Sequence, residues 1–146
     1  MSERTVSQTI TRRNLVSLPA HATVLEAARI MTKANCGSVL VMNPNGALEG
    51  IVTERDLMTR VLAKALSPDK TVLSDVMTPH PHCVTPEVTV SNAVLIMIER
   101  GFRHLPIASV DGKILGVFSV RDALPREIGN AVSFAEFHEQ INDPLA

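Results

Sequence analysis

The chain has 146 residues, 45% of them apolar and 20% charged, with a formal net charge of −1 at neutral pH. This is the composition of a folded chain, sized for one ordinary domain or two very small ones that share a core. The near-zero charge excludes bulk electrostatic capture by nucleic acid or an anionic membrane, and no apolar run approaches the ~20 residues that span a bilayer.

The opening stretch, MSERTVSQTI, lacks the apolar core of a signal peptide, so a cytoplasmic protein is expected. A short strand is expected at Leu15–Leu18. Thr23 is a good N-cap, and Glu26 stands where it would complete a capping box. Val24, Ala27, Ala28 and Met31 then recur at i, i+3, i+4 and i+7, the pattern of a one-sided helix. A strand follows at Ser38–Met42, then the turn NPNG at Asn43–Gly46. A second strand, Leu48–Val52, runs into Thr53, where another helix should start.

The chain then repeats itself. With a shift of 66 and no gap, Thr23–Asp56 overlies Thr89–Asp122, and nine of the 34 pairs are identical. Several of the others exchange like for like, as in Val41/Ile107, Ile51/Val117 and Thr53/Ser119. Copy two therefore has a strand at His82–Val84, a helix capped by Thr89, and strands at His104–Ala108 and Ile114–Phe118. Each copy reads β-α-β-β-α. About 50 residues are too few to bury such a sheet well alone, so two copies should pack face to face and share a core. Beyond the repeat, Pro125 should end or kink the last helix of copy two. Ser133 and Glu136 form a capping-box pattern that opens a short new helix. Phe134, Phe137, His138 and Ile141 share one face of that helix, and its three large apolar groups are expected to be buried.

The duplicated stretch carries the chemistry. Gly50, Thr53 and Asp56 recur as Gly116, Ser119 and Asp122. A strand that ends at a helix N-terminus presents free N–H groups to a phosphate, and an aspartate one turn later can accept both hydrogens of a ribose diol. Helix capping alone would also explain these residues, and the two roles are compatible. His80, His82 and Cys83 gather in the linker but lack a fourth ligand, so no metal site is expected. Cys36 and Cys83 fall at non-equivalent positions of the repeat and read as buried, inert thiols. There is no G-x-S-x-G, H-E-x-x-H or P-loop, so no enzyme is expected.

The stretches GIVTERD (Gly50–Asp56) and GVFSVRD (Gly116–Asp122), with RHLPI (Arg103–Ile107) and DVMTP (Asp75–Pro79), resemble the CBS domain. Their duplication resembles a CBS pair, or Bateman module, over residues 10–128, although copy one has TITRR where copy two is preceded by MTP. The resemblance implies an α+β fold of two tandem β-α-β-β-α repeats about a pseudo-twofold axis. It places repeats at 10–66 and 82–128, a linker at 67–81, and a tail with a short helix at 129–146. The implied protein is a stand-alone regulatory module that needs no cofactor. It binds AMP, ADP, ATP, NAD or S-adenosylmethionine between the repeats, forms a homodimer, and signals to an unidentified regulated protein.

In such modules, residues just before the middle strand of one copy face the phosphate of a nucleotide held by the aspartate of the other. Carried onto this chain, Arg103 and His104 would face Thr53 and Asp56, while Gly37 and Ser38 would face Ser119 and Asp122. The first of these clefts is then the better nucleotide site. One alternative is a dimerisation or scaffold module with degenerate, empty clefts; another is a metal-responsive regulator using the linker histidines. Convergence of Thr53, Asp56, Arg103 and His104 on one cleft separates the first reading from the others.

Overall fold

The computed structural model describes residues 3–10 and 15–142, with only the backbone at Ile141 and Asn142. Copy one consists of β1 (Ser17–Leu18), α1 (Val24–Ala34), β2 (Ser38–Met42), β3 (Leu48–Thr53) and the short helix α2 (Glu54–Asp56). The helix α2 runs on as π-helical turns through Leu57–Leu62. The linker contributes β4 (Thr78–Pro79), and copy two consists of α3 (Val90–Arg100), β5 (His104–Ala108), β6 (Ile114–Ser119) and α4 (Pro125–Asn142). Among the described residues, no helix is long and apolar enough to cross a membrane.

The duplication extends to the hydrogen-bond register. Ser38 pairs with Thr53 and Met42 with Leu48 in one hairpin; His104 pairs with Ser119 and Ala108 with Ile114 in the other. Each hairpin also shifts register at the same place, between Val41 and Met42 or between Ile107 and Ala108. The sheets are not equally complete. The first has the order β1-β2-β3-β4, with β1 parallel to β2. Among the described residues the second has β5 and β6 alone, and the strand expected at His82–Val84 shrinks to one bridge between Val84 and Ile107.

Both first helices start as their sequences suggest. Thr23 Oγ1 accepts from the Glu26 N–H and Thr89 Oγ1 from the Asn92 N–H, each at 3.2 Å. Only the Thr23 half of the expected box with Glu26 is made. Full capping boxes stand instead at Thr53/Asp56 and Ser119/Asp122.

The core differs from the expected single shared one. Buried side chains form two clusters, one per copy, and each is completed by a segment from outside its own repeat. Val6, from the N-terminal 3-10 turn (Val6–Thr9), lies in the copy-two core, and its N–H donates to the Val88 carbonyl at 2.8 Å. Leu73, from the linker turn (Leu73–Asp75), lies in the copy-one core, and its N–H donates to the Ala22 carbonyl at 2.9 Å. The segment that leads into each copy thus packs on the other. Residues 11–13 of the TITRR stretch lie outside the described residues.

The C-terminal region bears out one expectation and corrects two. The helical turn capped by Ser119, Val120–Asp122, ends before Pro125 with Ala123 already extended, and Pro125 takes the first position of a new helix, α4, where its fixed φ is favourable and its missing N–H costs nothing. The preceding turn is closed by Glu127, whose Oε1 accepts from the Leu124 N–H at 2.8 Å. Arg4 holds the same buried carboxylate through Nη2 at 2.7 Å and Nε at 3.1 Å, and keeps its pKa below the ordinary range. Ser133 opens no new helix, since α4 is already running; its hydroxyl donates back to the Gly129 carbonyl at 3.1 Å. Phe134 and Phe137 are 51% and 56% exposed rather than buried. Ile128 and Ala131 are the α4 side chains that pack into the copy-two core beside Val94 and Met97 of α3. The side chain of Ile141 lies outside the described residues. His138 Nδ1 meets Glu99 of α3 at 2.8 Å.

Candidate functional site

The duplicated motif lies where each second strand turns into its next helix. At the first, Asp56 is 7% exposed. Its Oδ2 accepts from the Thr53 N–H at 2.9 Å and from the Thr53 hydroxyl at 3.1 Å. Its Oδ1 lies 3.6 Å from Arg60 Nε, and Arg60 also donates to the carbonyls of Val76 and Met77 in the linker. Capping is therefore real, and it consumes one carboxylate oxygen while aiming the other. The turn's own N–H groups are less available than expected. Glu54 N–H donates to the Gly37 carbonyl at 3.0 Å and Asp56 N–H to Thr53 Oγ1 at 3.3 Å. A phosphate here would depend on side chains.

Those side chains come from the other copy. A cleft of about 300 Å³ is lined by Ile51, Thr53, Glu54, Arg55, Asp56 and Arg60 of copy one and by Gly101, Phe102, Arg103 and His104 of copy two. Thr78 and Pro81 of the linker and His82 just after it complete it. Thr53, Asp56, Arg103 and His104 thus converge. Among the described residues, the Arg103 guanidinium has no carboxylate paired with it. His82, weighed above as a metal ligand, stacks on Phe102 with ring centroids 6.5 Å apart.

The second cleft is built from the equivalent residues and is nearly closed. Gly37, Ser38, Ser119 and Asp122 do come together there, around only about 20 Å³, room for little more than one water. Asp122 Oδ2 accepts from the Ser119 N–H at 2.9 Å, and Arg121 reaches across to donate to the Asn35 carbonyl at 3.1 Å. His104 lines this cleft as well as the first. Burial pushes its imidazole below the ordinary range; Glu54 and Asp122 pull it up, and Arg121 and Arg103 push it down. Its Nδ1 is buried with no hydrogen-bond partner among the described residues.

Three contributors escaped the sequence reading. Arg60 stands four residues after Asp56, an i,i+4 pairing that was legible. Phe102 adjoins Arg103 and could have been taken with it. Glu54 carried no signal, because its neighbours are distant in sequence. The two thiols are half-buried rather than buried; Cys36 Sγ lies 3.4 Å from the Ser38 carbonyl, and burial pushes the Cys83 pKa up.

Comparison with known proteins agrees with this architecture. The profile of the CBS domain matches twice, at residues 6–63 and 73–127. An uncharacterized protein of Methanopyrus kandleri is 32% identical over 118 residues, 81% of this chain and 60% of the relative. A CBS domain-containing protein of Arabidopsis thaliana is 34% identical over 134 residues, 92% of this chain and 24% of the relative. The chain therefore spans less than two thirds of either relative. Among solved structures, a CBS domain protein of Pyrobaculum aerophilum complexed with AMP aligns with a TM-score of 0.77 and 27% identity, over 90% of this chain and 99% of that one. With two profile matches, two hairpins in identical register and an aspartate box in each copy, this chain belongs to the CBS domain family as a tandem pair.

Proposed function

We propose that this CBS pair binds an adenine nucleotide in the first cleft and passes its occupancy to a partner protein. The observation that carries the reading is the meeting of Thr53 and Asp56 from one copy with Arg103 and His104 from the other. Asp56 Oδ1 is the acceptor for ribose hydroxyls, and Arg103 supplies a cation, without a carboxylate partner among the described residues, for a phosphate. Ile51, Pro81 and Phe102 offer apolar surface to a base. A cleft of about 300 Å³ is at the small end of ligand sites, which favours a mononucleotide such as AMP over NAD. The similar Pyrobaculum aerophilum protein was solved with AMP, which supports the same choice. A homodimer and a regulated partner belong to this reading; the exposed Phe134 and Phe137 on α4 favour association as a second role.

A melting screen with AMP, ADP, ATP, NAD and S-adenosylmethionine tests the proposal. At a hundredfold excess over Kd, AMP should stabilise the chain by about 2.7 kcal/mol, raising Tm by roughly 5–10 °C. The chain has no Trp or Tyr, so nucleotide retained through purification would stand out at 260 nm. A module that only associates would show no shift with any of the five.

A further inference from the structure

Glu54 is the one carboxylate lining the first cleft to which the nucleotide reading gives no part. The bond from its N–H to the Gly37 carbonyl, 3.0 Å long, brings the root of the side chain against the approach to β2. The carboxylate then folds over Gly37. A β-carbon placed on Gly37 would collide with Glu54 Oε1 and would stand 3.0 Å from His104 Nε2. Glu54 and His104 therefore close on one point from two sides, and only a residue without a side chain leaves room for both. The other charged groups facing the imidazole are Arg103 beside it and Arg121 and Asp122 from the turn after β6. A carboxylate that lines the first cleft and reaches His104 repels a phosphate drawn there by Arg103 and His104.

We propose that Glu54 sets the specificity of the first cleft, its carboxylate competing with the ligand's phosphate for the corner beside Gly37 and His104. The inference rests on the reading of that cleft as an adenine-nucleotide site and adds a charge filter to it. Anionic ligands bind more weakly than the cationic side chains alone would allow, while the nucleoside part is indifferent. Because Glu54 is exposed, the effect is modest and screened by salt.

Calorimetric titration of Glu54→Gln with AMP and with adenosine, at low and raised salt, tests it. The expected result is AMP affinity about threefold to fivefold higher than in the parent at low salt, a gain that shrinks as salt rises. Adenosine should bind both proteins alike. Glu54→Ala, with folding checked by melting, should reproduce the AMP gain, because the charge and not the amide is responsible. AMP bound no more tightly by either variant would overturn the proposal. So would equal gains for AMP and adenosine, which would mean steric obstruction instead. A parent protein that binds neither compound would bring down the nucleotide reading itself, and the charge filter with it.

Discussion

Asp56→Ala is expected to remove nearly all affinity for AMP, and Asp122→Ala to leave it almost unchanged. The asymmetry follows from the two clefts, about 300 Å³ against about 20 Å³, and from the side chains that reach them. Asp56 already gives Oδ2 to the Thr53 box, so Oδ1 is the oxygen turned to the ligand, with Arg60 Nε 3.6 Å from it. Two charge-assisted bonds to a ribose, each worth up to about 1.5–3 kcal/mol, correspond to a loss of roughly 10²–10⁴ in affinity. Loss of the cap should also cost about 1 kcal/mol of stability, so binding is best measured well below the melting temperature. Arg103→Ala should weaken AMP while leaving adenosine unaffected, which assigns the phosphate end.

His104 adds a pH dependence to the same titration. Burial holds its pKa below the ordinary 6.5, so the ring is neutral at pH 7 and gains its charge only as pH falls further. AMP affinity should therefore rise below pH 6.5, through the lowered pKa of the folded state. Stability moves the other way. The unfolded chain takes up that proton first, so the contribution of the neutral buried ring is complete above pH 6.5 and is lost as pH drops through the folded value.

Phe118→Ala should be among the most damaging core substitutions. The ring is fully buried on β6, its residue paired with Leu105, at the centre of the copy-two cluster. Truncating a phenylalanine in such a place costs about 3–5 kcal/mol, combining lost transfer free energy with the cavity left behind. Urea unfolding should show that loss directly, with Tm lower by roughly 10 °C or more. Val52 holds the equivalent position in copy one, and Val52→Ala should cost less because fewer atoms are removed. A loss below about 1 kcal/mol for Phe118→Ala would contradict the packing.

The repeat made much of this legible in advance. The short apolar runs SVLVM and HLPIA, capping at Thr23 and Thr89, and the Gly-x-x-Thr/Ser-x-x-Asp stretch are local patterns that local physics decodes. Thr53, Asp56, Arg103 and His104 could be grouped because the resemblance implied which ends of the two copies meet. The exchange of Val6 and Leu73 between copies was not legible. Each is an apolar residue in a short irregular segment, with no periodicity to show which core it enters. The tail was misread for a related reason. The capping pattern at Ser133 is a true local signal, but Pro125 and the Glu127 carboxylate start the helix earlier. Ile128 and Ala131, rather than the phenylalanines, then join the core beside α3. Glu54 became visible only once Gly37 and His104 were seen on either side of its carboxylate.

A crystal structure of the chain with AMP tests the central claim most directly. The account predicts one nucleotide per chain in the cleft between Thr53 and Arg103, with ribose hydroxyls on Asp56 Oδ1, the phosphate on Arg103, and the Glu54 carboxylate moved off Gly37. AMP seated instead between Ser38 and Asp122, or bound with its phosphate turned away from Arg103, would contradict it.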